Sequence, residues 1–185
     1  MKHLIETQRL IIRLAEPGDA GAIFSYRSDF IANKYQGWFP GSVEEVRDYI
    51  STMPKTTDVA DVCLQFVMIH VEENRLIGDM GITFTHHDKM QAEIGCTLDK
   101  TYHGKGYATE ALKAMVDYLF VVLKKHRVIA SVDPRNLASI RLIERLKFRK
   151  EAHFKKSYYL RGEWVDDIIY AILETEWLNN ESSVK

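Results

Sequence analysis

The chain has 185 residues, 46% hydrophobic and 28% charged, with a formal net charge of -1. That length predicts one domain with a substantial core, and the near-neutral balance carries no footprint of a nucleic-acid or membrane binder, so any acidic ligand must be held by a local site. The opening MKHLIETQRLIIRL is broken by charges and lacks both a signal-peptide core and a membrane-length apolar run, which predicts a cytoplasmic protein.

RLIIRL, Arg9 to Leu14, reads as a strand, and EPGD stops it with a proline placed to open the helix AGAIFSYRS. Ser42 and Glu45 have capping-box spacing for a helix running to about Met53. LQFVMIHV, RLIGDMGITFT and QAEIGCTL are strand-length runs separated by polar turns, which predicts three hairpin-connected strands. Cys63 and Cys96 fall in these runs without metal-ligand or redox spacing and read as buried free thiols. His86-His87-Asp88 reads as a polar turn, because adjacent histidines on a strand point in opposite directions and no further ligand follows, so no metal is expected.

ATEALKAMVDYLFVVLKK places Ala111, Leu112, Met115, Tyr118, Leu119 and Val122 on one helical stripe, with Lys124 and Lys125 closing it. HRVIASV reads as a strand, Asn136 as the N-cap of the helix NLASIRLIERLKF, and Arg149 to Ile172 as a closing hairpin around LRGE. Residues 1–178 are expected to form the domain, and 179–185, NNESSVK, a flexible tail.

Ahead of the long helix stands TYHGKGYATEAL, with glycines on both sides of Lys105. Glycines at a helix entrance serve either a tight turn or an anion that must approach the free N–H groups of the first helical turn. The Walker spacing is absent. Thr109 replaces the third small residue of a dinucleotide fingerprint, and the hairpin-linked strands argue against a doubly wound sheet.

HGKGYA, His103 to Ala108, resembles the Gln/Arg-x-x-Gly-x-Gly/Ala signature of the GNAT N-acetyltransferases, with His103 in place of the usual first residue. ETQRLIIRL, AEIG, GKGYATEAL and NLASIRLIERLKF extend the resemblance, in order and over nearly the whole chain, to the Rim-type ribosomal-protein N-acetyltransferases. The resemblance implies an α+β fold, a mostly antiparallel twisted sheet flanked by helices, with a strand gap that holds acetyl-CoA as cosubstrate.

It further implies that the backbones of Cys96 and Leu98 bind the pantetheine arm and that the amides of His103, Gly104, Lys105, Gly106, Tyr107, Ala108 and Thr109 bind the pyrophosphate. Lys105 and Arg145 read either as electrostatic helpers or as solvated surface charges. Asn136 matches the asparagine that reaches the pantetheine arm, a role compatible with its N-cap. Glu93 is the matched base for the amine's proton, or else a solvent-facing strand residue. Ile143 stands where many members carry a tyrosine acid, which leaves Ser139, a serine near a helix start, as the candidate to protonate the thiolate. Lys147 replaces the glycine that would end this helix.

The partner implied is an amine acceptor, either a protein N-terminus or a small molecule such as a polyamine or aminoglycoside, for a monomeric or homodimeric enzyme. Aromatics in KYQGWFP and KKSYYLRGEW are candidates for its walls. The rival reading is a non-catalytic acyl-CoA-binding domain of the same fold.

Overall fold

A computed structural model describes residues 4–54, 56, 59–85 and 88–182, so His86 and His87 lie outside the described residues. In chain order the elements are β1 (Leu4–Glu6), β2 (Leu10–Leu14), α1 (Ala20–Arg27), α2 (Val43–Thr52), β3 (Cys63–His70), β4 (Arg75–Thr85) and β5 (Gln91–Leu98). There follow α3 (Tyr107–Asp117), β6 (Arg127–Val132), α4 (Leu137–Arg145), β7 (Arg149–Leu160), β8 (Glu163–Leu173) and α5 (Glu174–Ser182).

The strands form one sheet of eight in the order β1-β2-β3-β4-β5-β6-β8-β7, antiparallel throughout except where β5 meets β6. The three hairpin-connected strands are β3, β4 and β5. Helices cover both faces, as the α+β expectation required. Leu64, Phe66 and Met68 pack into a cluster with Leu112 and Met115 of α3, Leu119 just beyond it, Ile143 of α4 and Trp177 of α5. Between them in sequence, Val67 points the other way, onto Ile23 of α1 and Val46 and Ile50 of α2. The two-residue period of a strand distributes one sequence between two cores.

Several local expectations are corrected. β1 was not anticipated; it pairs with β2 from Leu4↔Arg13 to Glu6↔Ile11. The helix after the glycine loop stays α only to Asp117, then Tyr118–Val122 forms a π turn closed by Leu123 N donating to Tyr118 O at 3.0 Å. The extra residue in that turn shifts the helical phase, so Phe120 is fully buried while Val122 is 61% exposed. Lys124 leaves the helix at φ 53°, and Lys125 is buried with its Nζ 4.6 Å from the Phe84 ring centroid. α5 extends to Ser182, into the segment 179–185 expected to be a tail.

Lys147 takes the left-handed conformation itself, at φ 66°. Its N–H donates to Glu144 O at 2.9 Å and the Phe148 N–H to Ile143 O at 3.3 Å, the paired bonds of a Schellman ending. Buried Phe148 drops into the core beyond it, and that burial, on the order of 2 kcal/mol, offsets the strained backbone.

Candidate active site

The site begins where the sheet comes apart. β5 and β6 share only three paired positions, Gln91↔Arg127, Ala92↔Val128 and Glu93↔Ile129. Beyond Glu93, β5 remains paired with β4 as far as Leu98, and β6 with β8 as far as Val132, so the two strands diverge while each is held from its outer side. The inner edges carry backbone donors and acceptors that an extended ligand could pair with.

At the wide end of this gap the chain turns through the glycine loop. Asp99 Oδ1 accepts from Thr101 N at 3.0 Å and starts a short 3-10 turn, Lys100–Tyr102. Gly104 and Gly106 follow at φ 75° and 84°, and Gly106 is the N-cap of α3. Nothing lies within 4 Å of where a Cβ on Gly104 would be, so the loop is open on the side from which an anion would approach. The free N–H groups of the first turn and the positive end of the α3 dipole face the same direction. The backbone needs both glycines for its turn, and the turn leaves first-turn amides exposed.

Arg9 braces the loop, a role the sequence did not disclose. Its Nε donates to Glu110 Oε2 at 2.6 Å, its Nη1 to the Lys105 carbonyl at 3.0 Å, and its guanidinium lies 4.3 Å from the Tyr107 ring centroid. Glu110 Oε1 also accepts from Thr7 Oγ1 at 2.6 Å and from Arg9 N at 2.9 Å.

Three connected spaces occupy the gap. The largest, ≈ 670 Å³, is lined by Cys96, Leu98, His103, Gly104, Gly106, Tyr107, Ala108, Thr109, Asn136 and Ser139. Nine of the ten residues expected to hold the cosubstrate thus meet around one cavity. Lys105 alone of the ten is not among the lining residues; its Nζ sits 5.2 Å from the Tyr102 ring centroid. Arg145 lines the cavity instead and donates to Thr109 Oγ1 at 3.2 Å. Asn136 does cap α4, accepting from Ser139 N at 3.2 Å through Oδ1, which leaves its Nδ2 donor for a ligand. The Leu98 carbonyl meets the His103 ring nitrogen at 2.9 Å and the Cys96 carbonyl accepts from Gln36 Nε2 at 3.4 Å, contacts that a ligand pairing there would exchange.

On the far side a second space, ≈ 460 Å³, is lined by Glu93, Arg27, Asp133, Asp166 and Asp167, with Tyr35, Trp38 and Tyr158 as aromatic walls. A throat of ≈ 90 Å³, lined by Ile94, Cys96, Asn136, Ser139 and Ile143, connects the two. Tyr35 and Gln36 border all three spaces. Of the other candidate aromatics, Tyr159 and Trp164 are exposed outside the lining, with ring centroids 5.3 Å apart. The cysteines are free but only half-buried and border the second space; burial pushes the Cys96 thiol up to about 12.

Glu93 therefore lines the second space, while Ser139 lines the throat and the larger cavity. Burial raises the Glu93 carboxyl above its ordinary range, and the neighbouring Asp167 adds to the shift. Arg27 is neutralised in place: its Nε donates to Asp79 Oδ2 at 2.7 Å, and Asp79 also accepts from Tyr26 Oη and Gln65 Nε2, each at 2.6 Å. Among the described residues no group of three or more His, Cys, Asp or Glu is arranged to hold a metal, and no helix is long and apolar enough to cross a membrane.

A mixed sheet that parts in its middle, with a glycine-opened helix N-terminus at the mouth, defines the class of acyl-CoA N-acyltransferases. The chain belongs to the GNAT family: the acetyltransferase (GNAT) domain profile matches residues 9–149. It is 34% identical to the uncharacterized N-acetyltransferase YnaD of Bacillus subtilis (strain 168), over 94% of this chain and 98% of the relative. A crystal structure of a GNAT-family acetyltransferase from Bacillus anthracis superposes with a TM-score of 0.84 at 34% identity, covering 94% of this chain and 99% of that one. The ribosomal protein uS5 alanine N-acetyltransferase of Escherichia coli (strain K12) is 26% identical over 95% of this chain and 93% of its own. The protein is an acetyltransferase that uses acetyl-CoA as cosubstrate.

Proposed function

We propose that the protein transfers the acetyl group of acetyl-CoA directly to a primary amine while both substrates are bound. The observation that carries this is the parting of β5 and β6 beyond Glu93, which joins a cavity on the glycine-loop side to an acidic cavity on the other through a narrow throat. The first-turn amides of α3, helped by Arg145, hold the pyrophosphate, and the free edge of β5 at Cys96 and Leu98, with Asn136, aligns the pantetheine arm.

Bound there, acetyl-CoA supplies a thioester whose carbonyl carbon gains the new C–N bond as its C–S bond breaks. Glu93 takes one proton from the arriving ammonium, and its raised affinity for a proton suits that task. The amine nitrogen loses a second proton as the amide forms, and the Ser139 hydroxyl, bordering both the throat and the larger cavity, relays a proton to the departing sulfur. Holding both substrates across the throat contributes the orientation term, in which a misplacement of about 1 Å costs about a hundredfold in rate.

The acidic lining of the second space favours a cationic acceptor. The Rim-type resemblance and the uS5-alanine relative support a protein N-terminus; a polyamine or aminoglycoside carries the same ammonium chemistry. The test is free-thiol release from acetyl-CoA across a panel of Ala- and Ser-initiated peptides, polyamines and aminoglycosides. Amine-dependent release is expected with at least one class. Tight CoA binding by calorimetry with no amine-dependent release would favour the non-catalytic reading instead.

A further inference from the structure

The acidic cavity contains more carboxylate than its own cations neutralise. Asp133 pairs with Arg135 at 2.7 Å, and Asp166 with Lys155 at 3.0 Å and His153 at 2.9 Å. Arg27 is matched by Asp79. Among the described residues, Glu93 and Asp167 have no ion-pair partner, although both line this space. The remaining ionisable groups on its walls are Tyr35, Tyr49 and Tyr158 on the loop, α2 and β7, and the thiols of Cys63 and Cys96 on β3 and β5; none is a cation.

The register gives the pair a fixed relation. Glu93 stands opposite Ile129, Ser131 is two residues further along β6, Ser131 stands opposite Ile169, and Asp167 is two residues back along β8. Steps of two keep a strand on one face, so Glu93, Ser131 and Asp167 form a diagonal across three neighbouring strands. Their neighbours Ala92, Ala130 and Ile168 point into the core from the opposite face. Ser131 Oγ donates to Asp167 Oδ1 at 2.8 Å and orients that carboxylate, whereas Glu93 accepts no hydrogen bond from a described residue. One carboxylate is tied down, and the other is free to receive a proton.

We propose that Asp167 is a positioning residue of the transfer reaction: fixed by Ser131 on the sheet face that carries Glu93, it acts through Glu93 as a standing negative charge that directs the acceptor's proton there. This rests on Glu93 being the base. The proton leaves the acceptor's nitrogen and ends on the Glu93 carboxylate, while Asp167 keeps its charge throughout. Like charges sharing a half-buried cavity favour the protonated form of whichever carboxylate is less well held, and burial adds to the effect at Glu93.

The test follows the Glu93 side-chain carboxyl by carbon NMR as a function of pH in the wild type, Asp167→Asn and Asp167→Glu. Asparagine keeps an acceptor for Ser131 and removes the charge; glutamate keeps the charge. The Glu93 midpoint is expected to fall in Asp167→Asn and to recover in Asp167→Glu, with melting temperatures close to wild type. With spermidine and an Ala-initiated peptide as acceptors, Asp167→Asn should lower kcat/KM at pH 7 roughly tenfold and move the acid limb of its pH profile downward, leaving KM for acetyl-CoA unchanged. An unmoved Glu93 midpoint in folded Asp167→Asn overturns the proposal. Persistence of the acid limb in Glu93→Gln would separately overturn the assignment of the base.

Discussion

Lys147 and Gly106 share a backbone conformation and differ in how they came to it. Lysine at φ 66° is there because Phe148 must enter the core, not because the residue suits the turn. Lys147→Gly should therefore stabilise the protein by roughly 1 kcal/mol and raise its melting temperature by about 2–4 °C, measured by calorimetry. Gly106, at φ 84°, has the Arg9 Nη2 only 3.4 Å from where its Cβ would be. A branched residue in Gly106→Val adds strain of about 1–3 kcal/mol and disturbs the amides beside it, so KM for acetyl-CoA should rise roughly tenfold. Lys105→Ala, at a side chain outside the cavity, should change KM by less than about twofold. A larger effect at Lys105 than at Gly106 would reverse this ordering. The glycines could be read from sequence because few residues tolerate that backbone. Asp167 could not, since its relation to Glu93 exists only after β5, β6 and β8 are aligned side by side.

At the level of elements, strands and helix starts were the most legible parts. β4 and β5 occupy the bounds that hydrophobic alternation gave, and Ser42 and Asn136 cap the helices they were expected to cap. The end of α3 was less legible, because the π turn changes which residues face inward without changing composition. The brace between Arg9 and Glu110 was hidden for a different reason: it joins the β1–β2 turn to a helix far along the chain. Burial alone would raise the Glu110 carboxyl, but donations from Thr7 and Arg9 hold it below its ordinary value. A depressed folded pKa contributes stability above the unfolded value that is lost as pH falls through the folded one. On acidification below about pH 4.5, the melting temperature of the wild type should fall more steeply than that of Glu110→Gln. Parallel curves would show that the brace is energetically silent.

For the whole molecule, the fold depends on a charge the sequence left in plain view: Asp79, fully buried within the apolar run of β4. Its pairing with Arg27 ties α1 to the sheet beneath the acidic cavity, and the Arg27 guanidinium stacks 4.6 Å from the Trp38 ring centroid. Removing one partner strands the other in a low-dielectric interior. Asp79→Asn should lose about 3–5 kcal/mol in urea unfolding, and the double variant Arg27→Met/Asp79→Leu should recover most of it. Failure of the double variant to recover would mean that the hydrogen bonds from Tyr26 and Gln65 matter more than charge balance.

The three rungs joining β5 to β6 also make the sheet a garment fastened at one end. A thioester-bearing arm lying in the opening would act as the missing strip of cloth, stitched to both edges, and its departure would leave the seam open again. Catalytic turnover then becomes a cycle of sewing and unpicking in the middle of the core sheet. Backbone amides of Ile94 to Leu98 and of Ala130 to Val132 should feel each stitch, with those on the open edges exchanging hydrogen more slowly whenever CoA is present.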